Sequence, residues 1–319
     1  MPPGLGLGGG ASADPASTLF GAPNLLLDNY PGAHRAYSVR KLSKNYEGYA
    51  MKVREGSGMN YTNDIAFDDD GRVSLDSKVY NRSDSGTNGV TLSSYLSGYS
   101  NPDLMVTTWY DQSGEGVNAV QTGPTLQPIL YKNSGGLVTE GSPARAALEF
   151  DGTNDHLSID DAGLSFGSTY AFAVFNNTSS SGTKVVWSLS SGSSGWFTHI
   201  HISGSDALYY DPGYPYPSYF YPQVTGQHYW AYKGIDGSQI LYKDGTASSQ
   251  GDDGGEGDLT ATDAFTDTSP TLSNGIGGVP GVGSFYWPGE FQELIVYDSD
   301  QSSNRSNIES DINTEYDIS

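Results

Sequence analysis

Apolar and polar residues alternate in short runs along this chain, and turn formers separate the runs. Tyr49-Ala50-Met51-Lys52-Val53-Arg54 changes sides at every residue, as a half-buried strand does. Met105 to Tyr110 is a strand closed by Asp111-Gln112-Ser113-Gly114. Tyr170 to Phe175 and Lys184 to Leu189 are apolar enough for central strands, and Trp196 to Ile202 predicts another. Tyr229 to Tyr232 and Gln239 to Lys243 predict a hairpin over Asp236-Gly237, with Asp244-Gly245 as the next turn. Glu290 to Tyr297 is the last strand. Thr91 to Leu96 predicts a helical turn. Ser302 to Tyr316 predicts a terminal helix, with Ser302 or Ser303 as N-cap and Ile308 and Ile312 on one face. Many strands, glycine-rich turns and one terminal helix predict an all-β jelly-roll sandwich.

Residues 1–24 break this pattern. They are Gly, Pro, Ala and Ser with few large side chains, too little apolar surface to fold alone. The expected division is therefore an N-terminal arm over 1–24 and a sandwich over 25–319. Leu5 and Leu7 are the arm's candidate anchors on a neighbouring subunit. Met1 to Gly10 carries neither a basic n-region nor an apolar h-region of a secretory signal.

Composition removes several function classes. The 15 Lys and Arg against 37 Asp and Glu give a net charge of −22. Such a surface repels phosphates and anionic lipid headgroups, so neither nucleic acid nor membrane is an expected partner. No run approaches the roughly 18 apolar residues of a membrane span. The chain has no cysteine, which excludes disulfides and thiolate metal sites.

Three segments in order resemble a known family. The first is Ala36-Tyr37-Ser38-Val39-Arg40-Lys41-Leu42 with Tyr46-Glu47-Gly48. The second, and most specific, is Thr107-Thr108-Trp109-Tyr110-Asp111-Gln112-Ser113-Gly114 with Asn118 and Gln121. The third is Phe150-Asp151-Gly152-Thr153-Asn154-Asp155-His156-Leu157. Together they are similar to the catalytic-domain fold of the α-L-arabinofuranosidase B proteins, glycoside hydrolase family 54. The resemblance runs over about residues 30–297. It implies a concanavalin/laminin-G-like sandwich and, in the hydrolases, a Glu nucleophile with an Asp acid. Retaining hydrolysis needs two such carboxyls about 5 Å apart. By alignment the Glu position falls at Thr198, and the Asp position falls at Val279, after Ile276-Gly277-Gly278. Neither side chain can attack or protonate, so the expectation is a protein that is not an enzyme.

Similar modules with the Tyr-Asp-Gln-Ser-Gly block occur in bacteriophage tail and virion proteins, some with a Gly-Leu-rich arm like Gly4-Leu5-Gly6-Leu7-Gly8. That resemblance implies a non-catalytic virion structural or adhesion protein. Its arm would hold it to itself as a homo-oligomer or to other virion proteins, and its sandwich would face host polysaccharide. The alternatives are a secreted, extracellular carbohydrate-binding protein and an active arabinofuranosidase with relocated carboxylates.

Candidate sites follow from residue chemistry. Asp111 and Gln112 suit sugar hydroxyls or an ion, or else an Asx-type turn that fixes its own loop. Tyr214, Tyr216, Tyr219 and Tyr221 alternate with prolines between Tyr209 and Pro222, which disfavours a central strand and offers rigid rings for sugar or protein contacts. His199 and His201 stand i, i+2 on one strand, an arrangement that admits a metal, though no third ligand is evident. No cofactor is expected. Ca2+ is the ion that Asp68-Asp69-Asp70 and the acidic loop Asp252 to Asp258 would take, although neither has the spacing of a defined calcium loop. Glu290 and Glu293, three apart on one strand, are expected on opposite faces and therefore not as a catalytic pair.

Overall fold

A computed structural model describes residues 25–56, 61–81, 88–98, 102–159, 168–178, 184–190, 197–202, 207–211, 219–222, 225–235, 238–248, 274–281 and 285–318. The arm, with Leu5 and Leu7, lies outside them, as do Tyr214, Tyr216 and the acidic loop 252–258.

The architecture is a β-sandwich whose strand ladders are antiparallel among the described residues. Its first layer is built on the strand Pro288–Tyr297. Leu148–Asp151 pairs with the first half of this strand and Ala33–Ser38 with the second half. On its other side follow Ser168–Asn177, Gly226–Ile235 and Ser238–Lys243. The second layer runs through Met51–Glu55, Leu104–Trp109, Ala119–Val120, Leu157–Ile159, Asn274–Ile276, Lys184–Ser190, Phe197–Ile202, Ala207–Asp211 and Tyr219–Pro222.

The strands form because alternate positions find a partner layer. Ala171, Ala173 and Phe175 of the first layer, with Trp230, Tyr232 and Leu241, face Trp187 and Leu208 of the second around a small apolar cavity. Elsewhere aromatic rings fill the core. Trp287 lies 5.6 Å from Phe175, 5.9 Å from Phe150 and 6.0 Å from Phe291, centroid to centroid. Each is essentially inaccessible, and burial of one such side chain contributes about 2–3 kcal/mol.

Turn chemistry matches the sequence at Asp244-Gly245. Lys243 pairs with Thr246 across the turn, and both central residues take positive φ, 48° and 78°. A two-residue hairpin of this hand requires that conformation, and Asp-Gly supplies it cheaply. The terminal helix spans Arg305–Tyr316 and starts three residues later than expected. The Asp300 carboxylate accepts from the Ser302 backbone N–H (2.8 Å) and hydroxyl (2.5 Å), holding Ser302 in a preceding turn. Ile308, Ile312 and Tyr316 are fully buried as the helix's inner face.

One expectation about faces fails. Glu293 pairs with Val174 and Phe291 with Phe175, so Gln292 is an extra residue in the strand. Such a bulge resets the two-residue alternation. Glu290, opposite Asn176, and Glu293, opposite Val174, therefore share one face. They still do not act together, because the terminal helix covers one of them. Glu293 is fully buried and accepts from Ser38 Oγ (2.7 Å), Arg40 Nε (2.8 Å), Arg40 Nη2 (3.0 Å) and Tyr316 Oη (3.1 Å).

Candidate functional site

Asp111 and Gln112 spend their polar atoms inside the fold. Asp111 Oδ1 accepts from the backbone N–H of Ala36 (2.9 Å) and Ser113 (3.0 Å). Its Oδ2 accepts from Ser113 Oγ (2.7 Å) and from the N–H groups of Gly116 (3.0 Å) and Val117 (3.2 Å). Gln112 Oε1 accepts from Leu42 N–H (2.9 Å), and its amide donates to the carbonyls of Ser38 (3.3 Å) and Arg40 (3.0 Å). Both residues are buried. This corrects the sugar-binding assignment: the pair locks the Tyr-Asp-Gln-Ser-Gly turn to the first strand. Asp68 likewise serves its own turn, accepting from the Asp70 and Arg72 N–H groups (3.0 and 2.8 Å) and from Ser74 Oγ (2.6 Å).

The proline-flanked tyrosines divide between two situations. Tyr219 and Tyr221 lie in a regular strand opposite Tyr210 and Leu208. Among the described residues that strand has one ladder partner, so it is an edge, where Pro222 is tolerated.

The two windows to which the resemblance assigns the carboxylates lie on either side of one strand. Gly275 pairs with Ser188, Ser188 with His199, and Leu189 with Thr198. Thr198 therefore sits one strand beyond the strand that touches the glycine loop. Adjacent strands lie about 4.8 Å apart, which places the two windows roughly 10 Å from each other. Ser188 Oγ donates to the Gly278 carbonyl (3.2 Å), tying the loop down just before Val279. Val279 is fully buried. Gly277 has φ +84° and lies so near the Phe150 ring that a Cβ would stand 2.2 Å from it, so only glycine fits there.

Against this loop packs the turn 151–156. Asp151 Oδ1 accepts from the N–H groups of Thr153 (2.8 Å), Asn154 (3.1 Å) and Asp155 (3.3 Å). Asp155 Oδ2 accepts from Asp151 N–H in return (3.1 Å). Burial, then the neighbouring charges of Asp151 and Glu149, push the Asp155 carboxyl up to about 7, against the pull of that N–H. Sequence reasoning placed Asp155 within a family block and assigned it no role. Its only signal was a second Asp four residues after Asp151.

His156 completes the corner. Gln121 Oε1 accepts from Gly123 N–H (2.9 Å), which orients the Gln121 amide as donor toward His156 Nε2 (2.9 Å). The ring's other nitrogen, Nδ1, then carries the proton and donates to the Asn154 carbonyl (2.9 Å). The ring lies 5.8 Å from that of Tyr286, tilted by 32°.

A second carboxylate group lies on the outer face of the first layer. Glu149 stands directly opposite Glu290. Burial, then Glu140 and Glu149, raise the Glu290 carboxyl, while Asn176 Nδ2 donates to it (3.1 Å). Lys132 pairs with Glu149. Among the residues whose side chains are described, no group of three His, Cys, Asp or Glu is arranged to hold a metal.

No protein-family model matches the chain, and no curated protein sequence does. Solved structures do. An arabinofuranosidase complexed with arabinofuranosyl-α-1,2-xylobiose matches with a TM-score of 0.62 at 14% identity, over 89% of this chain and 63% of its own. A GH54 α-L-arabinofuranosidase soaked with a cyclic sulfate inhibitor matches with a TM-score of 0.60 at the same identity and coverage. A Trypanosoma rangeli sialidase matches at 0.45 with 15% identity, over 66% of this chain and 31% of its own. The chain thus spans somewhat under two thirds of the arabinofuranosidases it resembles. At this identity the likeness establishes the fold, a concanavalin-like β-sandwich of the arabinofuranosidase type. It also corrects the expectation of a virion structural or adhesion protein, because the structures matched over nine tenths of this chain are glycosidases.

Proposed function

We propose that this chain is a glycan-recognition domain on a glycosidase sandwich, and that it does not hydrolyse glycosides through the two-carboxylate site of that fold. The observation that carries the reading is the corner itself. The strand carrying Thr198 and the loop ending at Val279 flank Lys184–Ser190 on its two sides, and the resemblance assigns the nucleophile and the acid of retaining hydrolysis to those two positions. By that assignment a threonine and a valine, the valine buried, replace the two carboxylates.

The ligand class is an arabinofuranosyl-substituted oligosaccharide, the kind of molecule bound in one of the similar structures. Tyr214, Tyr216, Tyr219 and Tyr221 supply rings of the type that stack on sugars. Calorimetric titration with arabinofuranosyl-xylobiose, run beside hydrolysis of 4-nitrophenyl α-L-arabinofuranoside, tests the reading. Saturable binding without turnover supports it, and binding should weaken in Tyr214→Ala and Tyr216→Ala. Failure of the ligand to bind refutes it.

A second reading rests on Asp155. A buried carboxyl poised near 7 beside Asp151 has the protonation state of a general acid. Turnover that disappears in Asp155→Asn would favour a relocated hydrolytic site.

A further inference from the structure

Among the described residues, three other than glycine take positive φ: Asp244 (48°), Phe285 (71°) and Asp317 (50°). Asp244 does so in a two-residue hairpin turn, which demands it. Asp317 does so as the left-handed cap of the terminal helix, its N–H donating to the Asn313 carbonyl (2.8 Å). Phe285 has neither reason. For a bulky side chain this conformation is strained, and it persists only where the surroundings impose it.

The neighbouring backbone imposes it here. The Phe285 carbonyl accepts from the Val185 N–H (2.8 Å), and Tyr286 forms a parallel bridge with Val185. Trp287, fully buried, donates its N–H to the Gly277 carbonyl (3.0 Å). The chain at Phe285 is thus held between Lys184–Ser190 and the glycine loop. Burial does not offset the strain, because Phe285 is 39% exposed. The next ring, Tyr286, is half-buried and lies so close to Gly278 that a Cβ there would stand 2.9 Å from Tyr286 Cδ1. Its other contact is the His156 ring, 5.8 Å away. Phe285 therefore stands exposed beside the corner made by the glycine loop and the turn 151–156.

We infer that Phe285 is the platform on which the apolar face of a neutral sugar ring stacks at this corner. The face of an aromatic ring is electron-rich and apolar, so it accepts the C–H face of a sugar. A backbone clamped before the ligand arrives presents the ring with little left to order on binding. Neutrality follows from charge. The adjoining turn carries the carboxyl groups of Asp151 and Asp155, and the whole chain has a net charge of −22. A uronic or sialic acid would meet repulsion there. Phe285 takes this role only if the glycan-recognition reading holds, and it adds to that reading the contact face and the charge of the sugar.

The test uses the full chain and calorimetric titration with arabinofuranosyl-xylobiose. Phe285→Ala and Phe285→Gly should each weaken binding about fivefold or more, and Phe285→Tyr should hold it within about twofold. Tyr61→Ala, which removes an exposed ring beside the strand Thr62–Ile65, should leave it unchanged. A xylobiose carrying glucuronic acid in place of arabinose should bind about tenfold more weakly or worse. Thermal melts separate the ring from its backbone. Glycine takes a φ of 71° without strain and alanine does not, so Phe285→Gly should melt above Phe285→Ala. Equal loss of affinity in these two variants supports the ring as the contact. A parent that binds while both variants bind equally well overturns the inference and leaves glycan recognition standing. Affinity lost in Phe285→Ala but kept in Phe285→Gly also overturns it, because the backbone and not the ring would then matter. Acidic sugar bound as tightly as neutral sugar overturns the charge assignment. A parent that binds neither oligosaccharide overturns the inference together with the reading beneath it.

Discussion

Asp155→Asn should stabilise this protein, and by more at high pH than at low. The Asp155 carboxyl sits at about 7 in the folded chain against an ordinary value of 3.8. The raised value means that the folded state favours the protonated form. That contribution is fully present below pH 4 and is lost as pH rises through 7. Each unit of difference corresponds to 1.36 kcal/mol. The loss is thus about 2 kcal/mol at pH 5 and about 4 kcal/mol at pH 8. Asparagine stays neutral throughout, and its carbonyl can still accept the Asp151 N–H that Asp155 accepts at 3.1 Å. Any constant cost of the substitution cancels when two pH values are compared, as do all other titrations common to both proteins. Urea unfolding of parent and variant at pH 5 and pH 8 should show the gap moving by about 2 kcal/mol in the variant's favour. A gap that stays constant between the two pH values would mean instead that the Asp155 carboxyl ionises in the fold as an ordinary carboxylate does.

Other perturbations follow from the same contacts. Arg40→Met leaves Glu293 buried without its bidentate partner (Nε–Oε2 2.8 Å, Nη2–Oε1 3.0 Å) and should cost about 3–5 kcal/mol in urea unfolding. Adding Glu293→Met should recover part of that cost, making the pair strongly non-additive. Gly277→Ala combines positive φ with a Cβ placed 2.2 Å from the Phe150 ring, whereas Gly89→Ala meets the φ strain alone. Thermal melts should rank Gly277→Ala the worse by at least about 1 kcal/mol. Asp111→Ala strips acceptors from four backbone N–H groups and should destabilise by about 3 kcal/mol or more. Glycan affinity of the folded fraction should not change, as measured by calorimetry below the melting transition.

The elements that sequence reveals best here are those whose periodicity nothing interrupts. Tyr170 to Phe175 and Lys184 to Leu189 lie inside observed strands, and Ile308 and Ile312 pack as the helix pattern requires. The failures have local physical causes. A one-residue bulge at Gln292 moved Glu290 and Glu293 to one face, and no pattern of residue types announces a bulge. Asp111 suits a sugar and a turn equally well by residue type, and only its five accepted hydrogen bonds decide for the turn. The glycine loop and the Thr198 strand come to flank Lys184–Ser190 through strand pairing, a non-local fact.

The proposed function is recognition of a glycan without turnover, at the corner where the resemblance places Thr198 and Val279. One NMR experiment addresses it directly: saturation-transfer difference spectra of arabinofuranosyl-xylobiose with the full chain, followed over days in one tube. The expected result is saturation transfer to the sugar ring protons, with the anomeric signals of the intact oligosaccharide unchanged in intensity. Steady appearance of free arabinose, or an absence of transfer to any sugar proton, would rule out glycan recognition without turnover.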